Sequence, residues 1–146
     1  MTTLSENRRT RFDYDILDTC EAGVALLGHE VKAVKHGQMS LAGAFVTFHR
    51  GEAYLTNAHI GRYREAGPLP EYDPTRSRRL LLHQKELRSL VGQAHEKGLT
   101  IVPLSVYTKG RYVKIAIALA RGRQKYDKRE AIKKREVSRE LKHHLN

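Results

Sequence analysis

Histidine and cysteine are the residue types in this chain best suited to metal binding or nucleophilic chemistry. Two of the eight histidines are adjacent near the C-terminal end, and the other six lie in separate predicted elements, none at a metal-ligand spacing from a cysteine or carboxylate: His29, His36, His49, His59, His83 and His95. No Gly-rich phosphate loop, nucleophile elbow or HExxH motif occurs. The one cysteine, Cys20, lies on the apolar face of a predicted strand, which is typical of a packed thiol. We therefore expect no metal, no cofactor and no enzymatic activity.

Charged residues on predicted strands indicate binding instead. Lys114 is followed at alternate positions by Ala116 and Ala118, so this strand has one flat, positive, weakly obstructed face. Such a face suits a phosphate backbone or a stacked base, although an ordinary solvated lysine has the same pattern. Glu21 lies on the polar face of another predicted strand.

The last 27 residues carry most of the positive charge. Residues 120–146 hold ten Lys/Arg and four Asp/Glu, which gives +6 of the formal +11. Asp127 and Glu130 have capping-box spacing, and Val137, Leu141 and Leu145 then form a thin apolar stripe. Such a helix is marginal alone in water, and a polyanion would neutralise its charges. The alternative is a solubilising helix packed on the body.

Length and composition limit the classes of protein to which this chain can belong. A chain of 146 residues fits one domain, which we divide into a body, 1–119, and a basic tail, 120–146. No apolar run approaches a membrane span, and the first residues lack the apolar core of a signal peptide. One cysteine allows no internal disulfide, which fits the cytoplasm. A sequence pI near 10 indicates a polyanionic partner, with nucleic acid ahead of an anionic membrane surface.

Hydrophobic periodicity predicts a mainly β fold. We expect a strand over 11–27, a short helix over 28–37 exposing Lys32, and hairpins turning at 50–51 and 109–110. Residues 61–74 form a loop. Asp73 and Pro74 open a helical region that breaks near His83. We predict an OB-like antiparallel β-barrel with about three short helices, with a sandwich as the alternative.

Several motifs, in order along nearly the whole chain, resemble the SsrA-binding protein family of bacterial trans-translation. They are NRRTRFDYDI, EAGVALLGHEVKAVKHG, DPTRSRRLLLHQKEL, GLTIVPLSVY and KIAIALARGRQKYDKR. The resemblance implies an OB-like barrel that binds the tRNA-like domain of transfer-messenger RNA (tmRNA) and accompanies it to stalled ribosomes. The further partners it implies are 16S rRNA at the small-subunit decoding centre, the messenger channel and, through charged tmRNA, elongation factor Tu. We expect a monomer.

The resemblance also assigns residues. It implies tmRNA contacts for Glu21, Leu81, His83 and Lys114, and we add Phe12 and Lys32 as candidates. It implies that the segment GRQKYDKR reaches the decoding centre, with a tail that becomes helical on the ribosome. The tail candidates are Arg121, Arg123, Lys125, Tyr126, Asp127, Lys128 and Arg129.

Some positions depart from the common family pattern: Phe12 for histidine, His29 for tryptophan, His83 for asparagine, and Gln124 among the paired bases. Phe12 can stack on a base but cannot donate a hydrogen bond. Two other hypotheses compete with the resemblance. One is a ribosomal protein with an OB body and a basic extension, and the other is an RNA-processing enzyme, for which no carboxylate or histidine cluster is present.

Overall fold

The computed structural model describes residues 1–96 and 98–123. Nine strands, three α-helices and one 3-10 turn make up this part of the chain. In order they are β1 (Thr2–Glu6), α1 (Thr10–Asp13), β2 (Tyr14–Val24), α2 (Gly28–Lys35), β3 (Met39–Ser40), β4 (Phe45–His49), β5 (Glu52–Thr56), β6 (His59–Ile60), the 3-10 turn (Arg64–Ala66), β7 (Arg78–Leu81), α3 (Gln84–Ala94), β8 (Leu99–Lys109) and β9 (Tyr112–Gly122). The predicted mainly β class with about three short helices is confirmed.

Seven strands form one antiparallel sheet in the order β1-β8-β9-β2-β7-β5-β4, and β3 pairs with β6 in a separate ladder. The predicted closed barrel is wrong at the level of hydrogen bonding. The ends of the sheet, β1 and β4, form no ladder with each other among the described residues. The reason is that β1 pairs with the outer edge of β8 along Ser105–Thr108, and β4 lies near β8 without joining it.

The main core lies on one face of the sheet. Alternate residues of β9 point into it, and Ile115, Ile117 and Leu119 are buried as the period-two pattern predicts. Helix α3 adds Leu87 and Leu90 to the same cluster. Because the core takes one side of β9, the alternate residues near its start remain on the opposite side of the sheet, where a ligand can reach them.

A buried ionic network joins α2 to β7. Glu30 and Arg78 are both fully buried, and Glu30 Oε2 accepts hydrogen bonds from Arg78 Nη2 at 2.5 Å and Nε at 3.0 Å. Arg76 also donates to both oxygens of Glu30, and the Tyr72 hydroxyl lies 2.9 Å from Oε2. Arg78 Nη1 donates to the carbonyl of Ala58 at 2.7 Å. This network fixes the start of β7.

Hydrogen bonding overcomes the cost of burying this carboxylate. Burial alone would raise the pKa of Glu30, but the donors Arg76, the Leu27 amide and Arg78 outweigh it and lower the pKa to about 2. Burial and the neighbouring Glu30 carboxylate raise the pKa of Tyr72 to about 12. The network is therefore ionised at Glu30 and neutral at Tyr72 near pH 7.

Three local predictions were wrong. The strand predicted over 11–27 begins only at Tyr14, because the preceding turn is helical, and a bulge between Ile16 and Asp18 breaks its alternation. The helix predicted from Asp73 is instead a turn followed by β7, and α3 begins at Gln84. The second hairpin turns one residue later than predicted, since Lys109 pairs with Tyr112. The turn at Arg50 and Gly51, both with positive φ, is confirmed.

Candidate nucleic-acid interface

Four of the predicted site residues line one open cleft. Glu21, Leu81, His83 and Lys114 come from β2, β7, the N-terminus of α3 and β9. The cleft has a volume of about 790 Å³. The same wall also contains Thr19, Cys20, Gly23, Glu52, Arg79, Leu80, Leu82, Gln84, Glu86 and Leu87. The structure therefore brings these four predicted residues, from four elements, onto one surface.

Strand register places these residues together. Gly23 on β2 is opposite both Lys114 on β9 and Leu81 on β7, so the three lie on one face of the sheet. A Cβ at Gly23 would lie 3.1 Å from the Cβ of Leu81, tighter than most real contacts. Glycine at this position therefore lets Leu81 lie close over β2 while its side chain remains 46% exposed in the cleft.

Glu21 is held by two donors from β8. The Tyr107 hydroxyl donates to Oε2 at 2.5 Å, and Lys109 Nζ donates to Oε1 at 3.2 Å. The hydrogen bond from Tyr107, followed by that from Lys109, lowers the pKa of Glu21. Burial and the bond to Glu21 raise the pKa of Tyr107 to about 12. Glu21 is thus an ionised, oriented acceptor whose remaining lone pairs can bind base amino or ribose hydroxyl groups.

An aromatic ring lies beside Lys114, and a second cation lies over the same ring. The Nζ of Lys114 lies 5.8 Å from the centroid of the Tyr112 ring, and the guanidinium carbon of Arg111 lies 5.3 Å from the same centroid. Arg79, on the face of β7 that carries Leu81, is exposed in the cleft. These positive groups can hold phosphates around the Glu21 acceptor.

Sequence reasoning missed Tyr107, Lys109 and Tyr112. Their positions depend on the register of the β8–β9 hairpin. The ladder observed puts Tyr107 opposite Lys114, whereas a turn at 109–110 would have put Tyr107 opposite Tyr112. The one-residue error in the predicted turn therefore gave Tyr107 the wrong cross-strand partner, and the contact between β8 and Glu21 was not predicted. The correct turn position would have indicated it.

His83 sits where the chain leaves β7 and enters α3. It is the N-cap residue, its carbonyl accepts from the Leu87 amide at 2.9 Å, and its side chain makes no capping hydrogen bond. The imidazole is exposed on the cleft wall. His83 therefore starts the helix through its backbone and leaves its side chain exposed on the cleft wall.

A second groove adjoins the cleft. Thr19 lines both, and the groove, of about 610 Å³, is also lined by Ala116 from β9 and by Arg8 and Arg11 from the segment around α1. Its other lining residues are Glu6, Asn7, Leu104 and Ser105. The surface lined by Glu21 and Lys114 therefore continues toward the N-terminal arginines, which the sequence analysis had not selected.

Phe12 and Lys32 do not line this surface. Phe12 lies in α1 instead of the predicted strand, with the Arg9 guanidinium 5.6 Å from its ring. Lys32 lies on the exposed side of α2, with its Nζ 5.8 Å from the Tyr63 ring. The cleft contains neither residue among its lining groups.

The base of the tail is paired to the sheet. Strand β9 continues to Gly122, which pairs with Tyr14, and Arg121 lies between Asp15 and Leu99. Arg123 donates from its amide to the Asp13 carbonyl at 2.9 Å and from Nε to Asp15 Oδ1 at 3.0 Å. The other tail candidates lie outside the described residues: Lys125, Tyr126, Asp127, Lys128 and Arg129.

Cys20 is one of the residues that line the cleft, and it packs against the core. Burial, together with the Glu86 and Asp18 carboxylates, raises the pKa of its thiol, so the thiol is protonated near neutral pH. Within residues 1–96 and 98–123, no three His, Cys, Asp or Glu side chains are grouped to hold a metal ion. None of the helices in this part of the chain has the length and apolarity needed to cross a membrane.

Comparison with known proteins identifies the family. The SmpB protein family model matches residues 4–146. An SsrA-binding protein of Trichodesmium erythraeum is 48% identical over 138 residues, 94% of this chain and 88% of its own length. One from Enterococcus faecalis is 45% identical over 138 residues, with 94% and 89% covered.

A solved structure has the same fold. Its chain is 48% identical, with a TM-score of 0.69 over 87% of this chain and 92% of its own, and it is described as "tmRNA-SmpB: a journey to the center of the bacterial ribosome". Because the family model and these relatives span nearly all of the sequence, the chain belongs to the SmpB protein family.

Proposed function

We propose that this protein binds the tRNA-like domain of tmRNA and delivers it to stalled ribosomes for trans-translation. The observation that carries the proposal is the single cleft lined by Glu21, Leu81, His83 and Lys114. The names of the relatives support the choice of RNA, since they are SsrA-binding proteins and one solved neighbour is a tmRNA–SmpB structure.

The cleft chemistry suits a folded RNA. Lys114 and Arg79 neutralise phosphates and fix the position of the backbone. Glu21 would be repelled by a phosphate, so it accepts hydrogen bonds from a base edge or a ribose hydroxyl. The exposed Leu81 side chain covers the apolar face of an unstacked base. His83 adds a polar contact at the α3 end of the cleft.

The role we propose is binding, without catalysis. The protein acts as a monomer in the cytoplasm, and it meets elongation factor Tu only through charged tmRNA. The body, 1–119, holds the RNA, and the tail, 120–146, probes the decoding centre and the empty messenger channel. In the tail, Tyr126 stacks on an rRNA base while Arg121, Arg123, Lys125, Lys128 and Arg129 contact phosphates, and Asp127 starts the helix.

A binding assay with two RNAs tests the proposal. Full-length protein is titrated, at several salt concentrations, with the tRNA-like domain and with a decoding-centre fragment of 16S rRNA. We expect Glu21→Ala to weaken binding to the tRNA-like domain and to leave rRNA binding unchanged. Glu71→Ala is the matched control, since Glu71 is an exposed loop carboxylate away from the cleft. Equal affinity of the wild-type protein and Glu21→Ala for the tRNA-like domain would contradict this use of the cleft.

A further inference from the structure

Tyr112 is the most exposed tyrosine or phenylalanine of the described residues, and it is not among the residues that line the cleft. Its side chain is 56% exposed, beyond any other large hydrophobic of the described residues except Met1. It stands at the first position of β9, directly after the hairpin turn. An aromatic ring left in water at this position has no role in the core.

The sheet leaves one flank of Tyr112 open. The β2–β9 ladder ends at the Gly23–Lys114 pair, so the hairpin projects beyond β2. On the other flank Tyr112 pairs with Lys109, whose Nζ bonds Glu21. The ring is therefore on the same face as Lys114 and Glu21 but extends past the end of the cleft.

Cations are fixed around the ring. Arg111 Nη2 donates to the Tyr112 hydroxyl at 3.1 Å, and its guanidinium carbon lies 5.3 Å from the ring centroid. Lys114 Nζ lies 5.8 Å from the same centroid. A flat π-face beside two cations is complementary to a nucleotide, which has both a flat base and an anionic phosphate. An acidic peptide would match the charges but would leave the ring without a stacking partner.

We propose that Tyr112 is a stacking site for one unpaired base of the bound RNA, with Arg111 holding the adjacent phosphate. The proposal rests on the proposed function, because it assumes that RNA occupies the cleft. The base stacked on Tyr112 lies beyond the nucleotide contacted by Glu21 and Leu81. The hairpin tip thus extends the contact from the cleft to an unpaired loop of the RNA.

Fluorescence gives a direct test, because the chain contains no tryptophan. Tyr112→Trp introduces a single indole at the proposed stacking site, and Leu17→Trp introduces one at a 47% exposed position in the β2 bulge. Each variant is titrated with the tRNA-like domain of tmRNA, and anisotropy of the labelled RNA measures binding independently. We expect the emission of Trp at 112 to be quenched along the binding curve, with little change at 17. Unchanged emission at 112 through complete binding would overturn the inference while leaving the proposed function intact.

Affinity measurements separate stacking from charge. Tyr112→Ala should weaken binding about 5- to 150-fold, the range for loss of one base–aromatic stack. Tyr112→Phe should bind within about twofold of wild type, because the ring remains. Arg111→Ala should lower the slope of log affinity against log salt by about 0.7–0.9, while Tyr112→Ala should leave that slope unchanged. A Tyr112→Ala protein that binds as tightly as the wild type would contradict stacking.

Substitution in the RNA identifies the stacked base. Abasic nucleotides are introduced singly at the unpaired loop positions. We expect one abasic position to remove the effect of Tyr112→Ala, because both changes eliminate the same contact. Full additivity at every loop position would contradict the proposal. Quenching of Trp at 112 by a poly-glutamate peptide as strongly as by RNA would identify an acidic-peptide site and also overturn it. A wild-type protein that does not bind the tRNA-like domain would overturn the proposed function together with this inference.

Discussion

The Tyr107 hydroxyl donates a 2.5 Å hydrogen bond to Glu21 Oε2, and Tyr107 stands opposite Lys114 in the β8–β9 ladder. One aromatic residue thus positions the acidic group beside the basic one. Without this hydrogen bond Glu21 would be held by Lys109 alone, through the bond from its Nζ to Oε1. Under the proposed function, this oriented carboxylate is the group of the cleft that favours hydrogen-bond donors of the RNA over its phosphates.

Tyr107→Phe should change the titration of Glu21. The variant keeps the ring and loses the donor, so the pKa of Glu21 rises from its lowered value toward the ordinary 4.5. A ¹³C NMR titration of the Glu21 carboxyl measures this shift. The hydrogen bond from Tyr107 stabilises the ionised form of Glu21 in the folded protein and so lowers its pKa. This contribution to folding stability is present above pH 4.5 and is lost as the pH falls through the folded-state pKa. A pKa for Glu21 that is identical in both proteins would contradict the assignment.

Lys114→Ala should reduce the salt dependence of RNA binding. Loss of one phosphate contact lowers the slope of log affinity against log salt by about 0.7–0.9. Lys35→Ala is the matched control, since Lys35 is an exposed lysine on α2 outside the cleft. An equal change of slope in the two variants would show that Lys114 contributes only diffuse charge.

Glu30→Gln should destabilise the body, although Glu30 itself does not line the cleft. The substitution leaves Arg78 buried without its counter-charge, which costs about 3–5 kcal/mol of unfolding free energy. Urea denaturation at pH 7 measures the loss. Because the pKa of Glu30 is lowered to about 2, its stabilisation is present above pH 4.5 and declines as the pH falls toward 2. The difference in unfolding free energy between wild type and variant should therefore become smaller as the pH falls over that range. A difference that does not depend on pH would contradict the ionic role.

The local sequence pattern predicted some of these features and not others. The β4–β5 hairpin followed from Arg50-Gly51 between alternating apolar residues, and α2 followed from its stop at Gly37, which has a positive φ. Strand β7 could not be recognised, because its four residues lie next to a helical run and bury an arginine. Charged residues usually predict an exposed face, so burial of Arg78 against Glu30 depends on tertiary partners that no local pattern reveals.

The candidate site was likewise predicted only in part from the sequence. The motifs of the family indicated Glu21, Leu81, His83 and Lys114, which do line one cleft. Tyr107 was not predicted because strand pairing is a long-range property. A one-residue change in the turn shifts the residue opposite Tyr107 on the neighbouring strand by two positions. Arg8 and Arg11 were not predicted as site residues, because the groove that they line depends on how the segment around α1 lies against β2 and β9.

Tyr126→Ala tests the part of the tail that lies outside the described residues, beyond Arg123. We expect the variant to slow peptide tagging on ribosomes with truncated messenger, because a stack worth about 1–3 kcal/mol on an rRNA base is lost. Its affinity for free tmRNA should not change. Tyr126→Phe should retain most of the activity, since its ring can stack. Tagging is measured in a reconstituted peptidyl-transfer assay. A Tyr126→Ala protein that tags at the wild-type rate would show that the ring is not needed and that the tail acts through its charge and helix alone.

Selection of tmRNA by the cleft, as proposed, can be measured in the cell. The direct measurement is to recover the tagged full-length protein from its own cells and to sequence the bound RNA, in parallel with the Glu21→Ala/Lys114→Ala double variant. We expect one dominant small stable RNA with a tRNA-like end on the wild-type protein and its depletion on the variant. Recovery of ribosomal RNA alone, in amounts stoichiometric with ribosomal subunits and equal for both proteins, would contradict it and would favour a ribosomal protein.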